Sequence, residues 1–128
     1  AGARIPKDVP GLNLLENLKK KQPIKRAGIF GESLAHDIAD IKNPEASLLF
    51  RWRIEGKWKL LLTYDGEVNR YQSTHPRTEK RPQLFDLSKD PHEKTNLAKK
   101  HPEVVADLAA KIAAWWPLKE RKAITKFE

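Results

Sequence analysis

The chain has no cysteine and no methionine among its 128 residues. The first absence removes disulfides, thiolate metal sites and cysteine nucleophiles together. The second, with Ala1 in first place, suggests a piece cut from a longer polypeptide. No apolar run approaches the roughly 20 residues a membrane-spanning helix needs, and no charged-then-apolar leader opens the sequence. The chain's own residues therefore record no compartment.

What is present is charge and a modest apolar fraction. Charged residues make up 33% of the chain and apolar ones 39%, with a formal net charge of +8. This length and composition suit one folded domain with a thin core rather than two independent ones. A surplus of Lys and Arg raises the possibility of a polyanion partner, since such side chains neutralise phosphate or sulfate and release counterions. The basic residues, however, fall in scattered groups with acids interleaved: Lys19-Lys20-Lys21, Lys25-Arg26, Arg77 to Arg81, Lys99-Lys100 and Lys119 to Lys122. No helix-turn-helix, zinc-finger or RNP-like pattern accompanies them, so a solvated surface is favoured over a nucleic-acid face.

Residues 1–26 read as a linker, with Leu12, Leu14, Leu15 and Leu18 on one side of a short helix that would lack a partner surface once cut free. A strand follows around Ile29, Phe30 and Leu34, with Glu32 and His36 on one face because they are an even number apart. Glu32, His36, Asp37 and Asp40 are the metal-ligand types that cluster, but their spacing matches no motif with known mechanics, and solvated polar residues are favoured. Asn43-Pro44-Glu45 suggests a capped turn. From Ser47 to Tyr64 strict alternation predicts a hairpin: Phe50, Trp52 and Ile54 on one strand, then Trp58, Leu60, Leu62 and Tyr64 beyond the Gly56 turn. This reading puts Trp52 and Trp58 together on the buried side as the centre of the core, and Arg51, Arg53, Lys57 and Lys59 on the open one. Those cations would form either a rim that attracts an anionic substrate or, the favoured reading, a charged face that resists edge pairing. Residues 65–81 read as a long loop containing His75.

A further strand is predicted at 84–87, followed by a turn in which Asp90 caps, Pro91 takes the first helical position and Glu93 completes a capping box. A helix is then predicted over 102–116. Val104, Val105, Leu108, Ile112, Trp115 and Trp116 form its stripe, and Pro117 is its stop. The basic tail, 118–128, is expected to be loosely held.

The run from Leu84 to Ala98, LFDLSKDPHEKTNLA, resembles the closing phrase of the sulfatase family, arylsulfatase type. Ala1-Gly2-Ala3-Arg4-Ile5-Pro6, followed by Gly11-Leu12-Asn13-Leu14-Leu15, is similar to the segment after that family's last catalytic-domain helix. Ile29-Phe30-Gly31-Glu32 and the run from Arg53 to Leu60 resemble two strands of its C-terminal sheet. The resemblance implies a sulfuric ester hydrolase with a formylglycine made within Cys/Ser-x-Pro-x-Arg and a calcium ion. Neither feature can be placed on this chain, and Ser47, Ser73 and Ser88 have no recognisable His/Asp relay. Cofactors are thus expected in the parent protein and none in this fragment. The resemblance also puts the strand end near Glu32 and His36 at the active-site mouth.

These readings combine into an α+β subdomain over 27–117, an antiparallel sheet of about four strands packed against one C-terminal helix. It is expected to be inert alone and to complete the active-site cleft of its parent, with Glu32, His36, Arg51 and Arg53 as substrate-binding candidates. Its partner would be the missing catalytic domain of the same polypeptide, with a sulfate-ester substrate reached through the parent, no membrane, and nucleic acid not favoured. The parent would be periplasmic or secreted if it follows the common placement in that family. The alternative is a basic module that binds sulfated polysaccharide or nucleic acid.

Overall fold

A computed structural model describes residue 8 and residues 11–35, 40–64 and 79–126. Helix α1 (Leu14–Lys19) is followed by β1 (Ile29–Leu34), a 3-10 turn (Pro44–Ser47), β2 (Leu48–Glu55), β3 (Trp58–Thr63), β4 (Gln83–Asp86) and α2 (Pro102–Trp115). The four strands form one antiparallel sheet in chain order, β1-β2-β3-β4, with α2 against it. This is the α+β architecture predicted above. Among the described residues no helix is long and apolar enough to cross a membrane.

The hairpin explains how the faces are assigned. Glu55 pairs with Trp58, which leaves only Gly56 and Lys57 between the strands, and Gly56 takes φ 56°, the left-handed value a primed two-residue turn needs. With that register, odd positions of β2 share a face with even positions of β3. Arg51 lies opposite Leu62, Arg53 opposite Leu60, and Trp52 opposite Leu61. Trp52 and Trp58 are therefore on opposite sides of the sheet, and the expected tryptophan pair does not form. The covered face is the one that carries the arginines: Arg51 is 3% exposed and Arg53 6%. The expected open cationic face is thereby corrected as well.

The core lies between that face and α2. Leu48, Leu60, Leu62, Tyr64, Leu84, Ala98, Val105, Leu108 and Ile112 form one buried cluster, each large member stabilising by about 1.5–3 kcal/mol. Pro102 opens α2, and Val105, Leu108 and Ile112 are its buried positions. Trp115, expected in the buried stripe, is instead 41% exposed.

Two local expectations are overturned. Residues 91–94 form a turn rather than a helical one, because Glu93 adopts φ 55° and the Asp90 carboxylate accepts the N–H of Thr95. Glu93 reaches Lys59 at 2.6 Å instead of bonding back to its cap. The turn sends the chain back along the outer edge of β4, where the Asn96 side chain accepts the N–H groups of Leu84 and Ala98 and donates to the Pro82 carbonyl. Leu97 donates to the Leu84 carbonyl, so the sheet edge is closed.

The tail is also held rather than loose. The buried Glu45 carboxylate accepts the N–H groups of Lys119 and Glu120. Arg121 donates to the carbonyls of Glu45, Ala46 and Leu48. Ala123 bridges Tyr64, and Ile124 donates to the Thr63 carbonyl.

Candidate functional site

Arg51 has been drawn into the interior by the end of a helix. Pro117 follows α2 closely and cannot continue it, so the last carbonyls need donors from elsewhere. The Arg51 guanidinium supplies them, donating to the carbonyls of Ile112 and Trp116, while its Nε donates to the Tyr64 hydroxyl at 2.7 Å. Among the described residues no carboxylate pairs with it. The negative end of the helix dipole and the aromatic rings compensate its charge, with Arg51 Cζ 4.8 Å from the Tyr64 centroid and 5.7 Å from that of Trp116. Burial pushes the Tyr64 hydroxyl pKa up, and the Arg51 bond partly opposes that shift.

Arg53 has a different balance. Its guanidinium pairs with Glu55 at 2.6 Å and lies 4.2 Å from the centroid of Phe30. Glu55 in turn receives Lys111 of α2 at 2.8 Å. Those two donors, Lys111 first, hold the Glu55 carboxyl below its ordinary pKa, and Lys111 is raised by Asp107 and Glu55. Phe30 stacks on Trp115 with centroids 4.8 Å apart and planes 8° from parallel. A chain of contacts thus ties β1 and β2 to the last two turns of α2.

The three candidates among the described residues, Glu32, Arg51 and Arg53, do not converge as one polar cluster. Arg51 and Arg53 are engaged beneath α2, whereas Glu32, the cross-strand neighbour of Arg51, is exposed. His36 and Asp37 lie outside the described residues, as does His75. Asp40 is exposed and accepts the N–H of Lys42. Among the described residues no group of three or more His, Cys, Asp or Glu could hold a metal ion.

Among the described residues no helix packs on the other sheet face. It presents Ile29, Phe50, Trp52, Ile54 and Leu61, all at least partly exposed. The Trp52 indole lies on Gly31, where a Cβ would come within 2.2 Å of the ring, so glycine is required by the ring and not by a turn. Leu14, Leu15 and Leu18 of α1 are also open, at 55%, 57% and 76%. Sequence reasoning missed the Phe30–Trp115 stack, the Asn96 edge closure and the Glu45–Arg121 clamp. Only Asn96 carried a signal, through its place in the closing phrase.

No protein-family model matches the chain. Over 57 residues it is 42% identical to an N-acetylgalactosamine-6-O-sulfatase of Bacteroides thetaiotaomicron, a match that covers 44% of this chain and 11% of that protein. Its fold matches a solved sulfatase from work on the metabolism of multiple glycosaminoglycans by the same organism, with a TM-score of 0.58 and 28% identity over 88% of this chain. The chain spans 21% of that solved structure.

Proposed function

The chain belongs to the sulfatase family as a partial segment, and on that footing we propose that it is the closing C-terminal subdomain of a sulfuric ester hydrolase. In this reading it has no turnover of its own. It covers part of the catalytic portion of the parent and completes one wall of the cleft. The observation that carries the proposal is the uncovered apolar sheet face. A domain that had to be stable and soluble by itself would not leave Ile29 exposed and Phe50, Trp52, Ile54 and Leu61 partly exposed on one face while burying two arginines on the opposite side. The leucines of α1 extend the same argument to the connecting segment.

The similarity to an N-acetylgalactosamine-6-O-sulfatase suggests a sulfated amino sugar as the class acted on by the parent. Formylglycine and calcium belong, in this proposal, to the catalytic portion. The sequence of this chain has neither a cysteine nor a Ser-x-Pro-x-Arg run from which a formylglycine could be made. Of the substrate-binding candidates, Glu32 is the one among the described residues with a side chain open to solvent, and Arg51 and Arg53 act by fixing α2 and the strand ends behind it.

Reconstitution tests the proposal. The 128-residue chain is expected to release no sulfate from an aryl sulfate, and the catalytic portion expressed without it is expected to be insoluble or slow. Co-expression of the two should restore turnover, and Ile54→Asp on the uncovered face should prevent that. Turnover by the isolated chain, or full activity of the catalytic portion without it, would overturn the reading.

A further inference from the structure

If the uncovered sheet face docks on the catalytic portion, the α2 side remains in solvent, and Trp115 stands out there. A tryptophan in an amphipathic stripe ordinarily turns inward. This one is 41% exposed and is held parallel to Phe30, its ring oriented by a stack with planes 8° apart. The arrangement presents a flat, electron-rich indole surface of fixed orientation. Glu32 stands two residues along β1 from Phe30 and on the same side of the strand. Its carboxylate is exposed and has no hydrogen-bond partner among the described residues.

We propose that Trp115 and Glu32 together form a subsite for one pyranose ring of a glycan chain. The axial C–H groups of a sugar carry partial positive charge and pack against the negative face of an aromatic ring. A carboxylate accepts hydrogen bonds from neighbouring hydroxyls, having several lone pairs and no donor. The same carboxylate repels a sulfate group. The ring bound here is therefore an unsulfated sugar of the chain, held away from the sulfated one that reacts. The inference rests on the sulfatase reading for the ligand class, and on Trp115, Phe30 and Glu32 for the site.

The test is a titration of the 128-residue chain with N-acetylgalactosamine and, separately, its 6-sulfate, following the indole N–H signals by NMR. The Trp115 signal should move saturably, the Trp52 signal should stay, and the neutral sugar should bind tighter. Trp115→Leu should weaken binding about fivefold or more, and Glu32→Gln should abolish the preference for the neutral sugar. Circular dichroism checks that Trp115→Leu is folded. If it is not, Trp115→Phe, which keeps a stacked ring, should weaken binding about twofold. An unmoved Trp115 signal, equal binding by a folded Trp115 variant, or tighter binding of the sulfated sugar would overturn the proposal. Successful reconstitution without sugar binding would sink this subsite alone; sugar binding without reconstitution would sink the docking proposal alone.

Discussion

The two faces of the sheet come from the same alternating strands yet carry opposite chemistry. On the α2 side, β2 contributes Arg51 and Arg53, both buried; on the other side it contributes Phe50, Trp52 and Ile54, all partly open. Hydrophobicity of β2 alone points to the wrong covered face. The reason lies in what the partners offer. Helix α2 brings apolar Val105, Leu108 and Ile112 to β3 and β4, and brings unsatisfied C-terminal carbonyls to β2. The arginine is stable inside because those carbonyls need donors. The aromatic side then remains available for a second surface.

The contrast breaks most severely at Arg51. Arg51→Ala removes the donor to the Ile112 and Trp116 carbonyls in a buried setting and should cost about 3 kcal/mol. The expected thermal midpoint is lower by roughly 10 °C. A loss under about 1 kcal/mol would mean that water replaces the guanidinium and that this face is not dry. Next in size is the strap: Arg121→Ala takes a donor from the carbonyls of Glu45, Ala46 and Leu48. It should cost about 1–2 kcal/mol and open the tail after Pro117 to limited proteolysis. An unchanged cleavage pattern would count against the strap. Trp52→Ala supplies the opposite pole. On the isolated chain it should cost about 1–2 kcal/mol, less than Arg51→Ala, because its ring is only partly buried. In the reconstituted enzyme it should weaken association about 30-fold, as loss of an aromatic anchor does. Equal effects on both measurements would erase the distinction between the faces.

Much of the fold was legible because local signals agreed. Alternation marked β2 and β3, Gly56 marked their turn, and Pro102 and Pro117 bracketed α2. The face assignment failed through register. Across a two-residue turn the partner of position 52 is 61, not 58, and counting the turn residues would have separated Trp52 from Trp58. Burial of the arginines could not be read locally, since the acceptors for Arg51 lie 61 and 65 residues away. The clamp from Glu45 to Lys119 spans 74. The Asp90-Pro91 signature is sound as chemistry, but pairing of Leu97 with Leu84 imposed a tighter reversal than a helical turn allows. Of the candidate site, Glu32 remains at the surface as expected, while the arginines became internal supports.

The smallest effect separates the faces by acid. The strand positions on the uncovered side carry no acidic residue, whereas the α2 side carries Glu32, Glu55 and Asp86. Hydrogen bonds from Ser88 and then Lys57 hold the Asp86 carboxyl at about 2, below the ordinary value of about 3.9. A carboxyl depressed in the folded state stabilises the protein above its unfolded pKa, and that contribution is lost as pH falls through the folded value. Stability should therefore be flat in this respect above about pH 5 and should decline between about pH 4 and pH 2. Asp86→Asn should flatten the decline while leaving neutral-pH sugar binding at Trp115 intact. The midpoint of urea unfolding, measured across that window for both proteins, gives the comparison. Parallel curves would show that Asp86 is solvated like an unfolded carboxylate and that the acid response originates elsewhere on the chain.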